Sequence, residues 1–182
     1  MWAMPTLILF CEAKQEVSDR RELSSMKNIW APWRKEFILS KKEENCFFCE
    51  AVKENQDRKN LVLYRGKECF CILNKYPYNN GHLMVAPNLH KDDLSKLSSS
   101  EMLEFMTLTR DMKSILSKKM NPEGFNLGIN LGKVAGAGVE GHIHLHIVPR
   151  WKGDTNFMPV ISDKKVISQS LDDLYIELKN HF

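Results

Sequence analysis

Apolar residues between positions 61 and 86 fall in three short runs, at 61–64, 68–73 and 82–86, built from Leu, Val, Ile, Cys, Met and aromatic side chains. Runs of this length bounded by Gly, Pro and Asn mark strands. Gly66 turns the first run into the second, a loop over 74–81 carrying Pro77 leads to the third, and Pro87 stops it, so the three predict a meander. Over 92–120 the spacing becomes helical: Met102, Phe105, Met106, Thr109, Met112 and Leu116 share a face, and Ser98 with Glu101 forms a capping box. This predicts one long core-covering helix, with its methionines as core filler, ended by the Asn121-Pro-Glu-Gly124 stretch. A strand over 125–131, a glycine-rich loop over 132–141 and a strand over 142–148 follow. Residues 50–55 read as a short helix, and Leu171, Leu174, Tyr175 and Leu178 as a closing one. Strands joined by short turns around one long helix predict an α+β domain, its sheet mainly antiparallel and its other helices few and short. No internal repeat is present.

Length and composition narrow this further. With 182 residues, 43% of them hydrophobic, the chain is expected to form one domain over 26–182 behind a tail over 1–25. The apolar start, residues 1–10, lacks a basic leading segment and is broken by Pro5, so it does not read as a secretion signal. Residues 11–25 are mostly polar, and translation is expected to begin naturally at Met26. No run of eighteen apolar residues predicts a membrane span. Lysine and arginine number 26 against 23 acidic residues, a formal charge of +3, too mild to imply nucleic-acid binding but compatible with a small anionic substrate. Five cysteines, an odd number, point to a reducing, cytoplasmic setting and away from a disulfide framework.

The chemistry concentrates in His142-Ile143-His144-Leu145-His146, where half of the six histidines occupy alternate positions. In an extended strand this puts three imidazoles on one face and Ile143, Leu145 and Ile147 on the other. A neutral imidazole offers a lone pair to an electrophile or a metal at neutral pH. One histidine here would read as a solvated polar face; three in register do not. Cys46-Phe-Phe-Cys49 has the spacing to clamp one metal ion. Residue types alone leave its partners open among His82, His90 and the three alternating histidines, and leave open a buried thiol pair or redox couple instead. Cys69 and Cys71 alternate on a strand with no histidine pair near them and are assigned to packing. The Trp30-Ala-Pro-Trp33-Arg34 segment reads as a core anchor.

Together these motifs resemble the histidine triad family of nucleotide hydrolases and transferases. The triad followed by two aliphatic residues, Asn74, Gly81-His82 before a strand ending in Pro87, the long helix and the glycine-rich loop fall in the family's order. The Trp-x-Pro-Trp-Arg opening, Cys-x-x-Cys, Asn126-Leu-Gly-Ile-Asn130-Leu-Gly132, Ala135-Gly-Ala-Gly138 and Pro149-Arg150-Trp151 resemble its branch of diadenosine tetraphosphate phosphorylases, from about Lys27 onward.

The resemblance implies a covalent mechanism. His144 would attack the α-phosphorus to give a nucleotidyl-histidine, His146 would hydrogen-bond the phosphate and leaving group, and backbone amides around Gly136, Ala137 and Gly138 would cradle the anion. It implies a structural zinc ion on Cys46, Cys49, His90 and His142. Asn74 would bind ribose and Asn130 the phosphates or the nucleophile, or serve as a plain turn asparagine. His82 would fix the tautomer of a triad imidazole, or be a satisfied buried histidine. Arg150 would neutralise a distal phosphate or be solvated, and Trp151 would stack on substrate or cover the sheet.

Hydrolytic members often carry glutamine and then serine or threonine before the triad, where this chain has Gly138 and Val139. The space so left favours inorganic phosphate over water as second nucleophile, giving ADP and ATP from diadenosine tetraphosphate. Hydrolysis to AMP and ATP, cleavage of nucleoside phosphoramidates, and a zinc-stabilised nucleotide-binding module without turnover are the competing functions. Magnesium would at most accompany the polyphosphate, since no acidic cluster demands a protein-bound ion. A homodimer with edge-to-edge sheets is also implied.

Overall fold

The computed structural model describes residues 46–139, 141–155 and 166–181. The expected tail over 1–25 and the tryptophan-rich segment at 30–34 lie outside them. In chain order the elements are α1 (Phe47–Lys53), α2 (Asp57–Asn60), β1 (Val62–Arg65), β2 (Cys69–Leu73), β3 (Leu83–Pro87), α3 (Ser99–Met120), β4 (Gly124–Ile129), β5 (Leu145–Arg150) and α4 (Leu171–Lys179). The strands form one sheet in the order β1-β2-β3-β5-β4, antiparallel at every pairing. The expected meander is β1-β2-β3, and the turn at Gly66 is closed by its amide donating to the Cys69 carbonyl at 2.8 Å.

Side-chain alternation gives the sheet two faces. On one, Leu63, Cys69, Cys71, Leu73, Leu83, Val85, Leu145 and Ile147 pack against Phe105, Leu108, Met112 and Leu116 of α3 and against Leu174, Tyr175 and Leu178 of α4. On the other, Val62, Phe70, Ile72, Met84 and Ala86 meet Phe48 and Ala51 of α1. His146 stands opposite Met84 in the β3-β5 register, so it shares the second face, and His144 two residues earlier does too. The core thiols behave as packing groups: burial lifts Cys69 to about 12 and raises Cys71 as well.

Several boundaries differ from expectation. Helix α1 starts at Phe47, three residues early, because the apolar pair Phe48 and Ala51 is its buried face and Cys46 is its extended N-cap. The 92–120 helix is interrupted: Leu94–Lys96 is a separate 3-10 turn capped by the Asp93 side chain, and the Ser98–Glu101 capping box starts α3 at Ser99. Met106 is half exposed, not core, and Leu108 takes its place on the buried face. Strand β5 begins at Leu145 because the backbone before it bonds elsewhere: the Ile143 amide donates to the Lys91 carbonyl at 2.6 Å.

The same lysine makes a partly buried ion pair. Lys91 Nζ lies 2.7 and 2.6 Å from the two carboxylate oxygens of Glu101, which is 3% exposed and also accepts from the Ser98 amide at 2.6 Å. One carboxylate thus caps the long helix and holds the 90–91 segment beside the start of the triad. Glu101→Ala leaves Lys91 and the cap without a partner and is expected to destabilise the protein by about 2–4 kcal/mol. The shift of the urea midpoint relative to the unsubstituted protein measures it, and a shift worth less than about 0.5 kcal/mol contradicts this placement.

Candidate active site

The site is built from the second face of β5. His144 is 4% exposed, and its Nδ1 lies 2.8 Å from the carbonyl oxygen of His142. A carbonyl only accepts, so Nδ1 carries the proton and Nε2 carries the lone pair. Burial holds the imidazole below its usual pKa, with that hydrogen bond opposing the shift, so near neutral pH it is uncharged and nucleophilic at Nε2.

The tautomer of His146 follows from a chain that begins at a backbone amide. The Tyr78 N–H donates to His82 Nδ1 at 3.0 Å, which places the His82 proton on Nε2. That nitrogen is 2.9 Å from His146 Nδ1, so His146 accepts at Nδ1 and presents N–H at Nε2. The Tyr78 ring stacks on His82 at 4.8 Å and 22°, fixing its plane. The rings of His144 and His146 meet edge to face at 4.9 Å. One imidazole therefore offers a lone pair and its neighbour a donor, the complement needed to attack a phosphorus and hold the departing oxygen.

The third histidine turns elsewhere. His142 Nε2 donates to the Pro87 carbonyl at 2.8 Å, aiming Nδ1 at Cys46 Sγ, 3.4 Å away, and Cys49 Sγ, 3.6 Å away. Cys49 Sγ is also 3.2 Å from His90 Nδ1. The ligand atoms of Cys46, Cys49, His90 and His142 lie within 4.8 Å of one another, so these four can hold a metal ion. Two sulfurs and two imidazole nitrogens at such separations match the edges of a tetrahedral site with metal–sulfur distances of about 2.3 Å. Burial pushes His142 down to about 4, which keeps it a neutral ligand. Cys49 is raised, first by burial and then by the adjoining Cys46 thiol, and a divalent cation would stabilise both thiolates. Gly141 makes room: a Cβ there would meet His90 Nε2 at 2.9 Å.

The other expected residues are placed as follows. Asn74 accepts from the Tyr76 amide at 2.8 Å and its amide nitrogen lies 3.3 Å from His82 Nδ1, so it adjoins the relay. In the glycine-rich loop Gly132 and Gly136 have φ of +79° and +84°, and Asn130 Nδ2 reaches the Gly136 carbonyl only at 3.5 Å. The amides of Gly136 and Ala137 donate within the loop, to Lys133 and Gly132 carbonyls at 3.0 and 3.4 Å; Gly138 makes no such bond among the described residues. Arg150 is bound at 2.6 and 3.1 Å by both carboxylate oxygens of Asp154 and by Asn126 at 2.9 Å, which answers its charge inside the fold. Trp151 lies five residues beyond His146, where its indole N–H donates to the carbonyl of Met120 at the end of α3; within one chain it is not brought to the histidines. Reading the sequence missed Tyr78, whose backbone amide leaves no mark in residue type, and Phe48 and Gly141, whose places inside Cys-x-x-Cys and just before His142 were the available signals.

Residues 55–153 match the family model described as HIT domain. The chain is 37% identical over 156 residues to a Mycobacterium tuberculosis protein named AP-4-A phosphorylase, covering 81% of this chain and 80% of that protein. It is 34% identical over 93 residues to the asymmetrical bis(5'-nucleosyl)-tetraphosphatase of Schizosaccharomyces pombe, covering 51% and 50%. A solved zinc-bound histidine triad family protein from Mycobacterium smegmatis has the same fold, with a TM-score of 0.59 at 24% identity over 75% of this chain and 91% of that one.

Nitrogen-15 spectra of the imidazoles near neutral pH are expected to show His144 as the Nδ1–H tautomer and His146 as the Nε2–H tautomer. In His82→Phe the donor to His146 is gone and its signals should move toward a mixture of both forms. Unchanged His146 signals in that variant would remove His82 from the relay.

Proposed function

Because the chain belongs to the HIT domain family, we propose that it is a nucleotidyltransferase that cleaves diadenosine polyphosphates, transferring the nucleotidyl group to inorganic phosphate. The observation that carries this reading is the paired tautomers: a lone pair on His144 Nε2 beside an N–H on the neighbouring His146 Nε2. In the first step the His144 lone pair forms a bond to the α-phosphorus and the bond to the polyphosphate oxygen breaks. His146 donates to that oxygen as it gains charge, so ATP departs from diadenosine tetraphosphate. In the second step an oxygen of inorganic phosphate attacks the same phosphorus, the phosphorus–nitrogen bond breaks and ADP leaves. The lone pair returns to His144 with the His142 carbonyl holding its tautomer throughout.

The preference for phosphate is supported by Gly138 and by Val139, which is half-buried against the second apolar cluster; neither places a polar side chain beside the phosphorus. The loop at 132–138 and Asn130 would meet the phosphates, and Asn74 the ribose. Zinc fits the donor set of Cys46, Cys49, His90 and His142 and would be structural, joining α1 to the residues that precede β5. A homodimer along the edge strand β4 fits the exposed Leu127 on it and the exposed Leu131 and Val134 just beyond its end, and a second copy is what would bring Trp151 near a site. A single domain over 26–182 and a cytoplasmic setting complete the reading; among the described residues no helix is long and apolar enough to cross a membrane.

Incubation with diadenosine tetraphosphate is expected to give ADP and ATP only when inorganic phosphate is present, and His144→Ala to lower kcat by at least about a thousandfold. AMP with ATP regardless of phosphate would make it a hydrolase, and tight binding without turnover would make it a binding module. Elemental analysis of the purified protein is expected to find one zinc ion per chain. Cys49→Ser, His90→Ala and Gly141→Val should each deplete it, the last because a side chain at 141 drives into His90; full occupancy in all three would refute the assigned ligands.

A further inference from the structure

Phe48 occupies the second position between the two cysteines and is fully buried, and among the described residues two of its ring contacts are to histidines. Its centroid is 5.1 Å from the ring of His142, tilted 48°, and 4.9 Å from that of His144, tilted 42°; Phe70 backs it edge-on at 6.1 Å. The ring therefore lies against both imidazoles at once. The His142 carbonyl fixes one atom of the His144 ring, but a bond to one atom leaves the ring free to swing about it, and the direction of the Nε2 lone pair swings with it. The edge-to-face ring of His146 restrains one side; Phe48 adds a second, independent restraint.

The position of Phe48 is set from both ends of α1. At the N-terminal end Cys46 and Cys49 flank it and converge on His142. At the other end Arg65 donates to the carbonyls of Ala51, Val52 and Glu54 at 2.6, 3.1 and 3.0 Å and is bound to Asp57 at 2.7 Å. Among the described residues no side chain caps the N-terminus of this helix, and the cysteine–histidine contacts are what tie its first turn to the residues before β5.

We propose that Phe48 is the positioning residue of the nucleophile, holding the plane of the His144 imidazole so that its Nε2 stays aimed at the substrate phosphorus, and that it links the metal cluster to the reaction. The inference rests on the proposed role of His144. The cluster places α1, α1 places the phenyl ring, and the ring holds the imidazole; no substrate atom touches Phe48.

The test uses the full chain loaded with zinc, carrying Phe48→Ala and Phe48→Leu, the latter keeping much of the bulk should the cavity of the former unfold the protein. In Phe48→Ala, kcat with diadenosine tetraphosphate and phosphate should fall about tenfold or more while KM stays within about threefold, and Phe48→Leu should recover part of the loss. Zinc content should remain at the wild-type level in both. The Nδ1–H signal of His144, visible without substrate, should broaden or exchange faster with solvent in Phe48→Ala and less so in Phe48→Leu. A kcat within about twofold of wild type, or a His144 signal unchanged in both variants, overturns the proposal. A wild-type protein that fails to turn over any substrate refutes the functional reading alone, because the imidazole signal still decides the positioning role.

Discussion

The hydrogen bond from His144 Nδ1 to the carbonyl of His142, two residues back on the same chain, is the constraint that the site depends on. Because the acceptor is a carbonyl, it admits one neutral tautomer and leaves the lone pair at Nε2. It exists because the ladder of β5 begins only at Leu145. Two residues upstream the Ile143 amide is taken by Lys91, and the carbonyl of His142 faces the side chain of His144. The departure from a regular strand is what arms the imidazole.

The same local departure separates the tasks of three histidines that share a sequence pattern. His142 leans toward the sulfurs and is anchored by Pro87, His144 stands over Phe48, and His146 is tied through His82 to a loop amide. Each imidazole keeps its second nitrogen for a backbone group or another ring. This is how one short segment can keep a lone pair, an N–H donor and a candidate metal ligand on three separate imidazoles. The reverse face, packed by α3 and α4, supplies rigidity: Leu145 and Ile147 alternate with the histidines, so repacking that core would shift the site with it.

Much of this was legible in the residues. Short apolar runs between turn residues and the helical pattern located the five strands and the long helix among the described residues, and Ser98 with Glu101 marked the helix start. The alternation at 142–146 identified which face carries chemistry. The boundaries moved where contacts outside the local sequence decide them: Cys46 becomes a helix cap through its neighbours on α1, and Met106 is exposed because α3 turns Leu108 inward instead. From spacing alone the ligands of the cysteine pair were open, and only the resemblance narrowed them to the four that the fold brings together. The relay was illegible beyond His82, since the Tyr78 amide that sets it belongs to the backbone. The ion pair of Arg150 with Asp154 was missed as well, although the two are four residues apart; a tight turn after β5 brings them together.

The central claim, that His144 Nε2 takes up the nucleotidyl group, is most directly met by mixing the protein with diadenosine tetraphosphate without inorganic phosphate, quenching within milliseconds and mapping the adduct by peptide mass spectrometry. One nucleotide joined to the peptide at His144, discharged when phosphate is added before the quench, is the predicted result. An adduct on another residue, or turnover with no adduct at any quench time, would contradict the account.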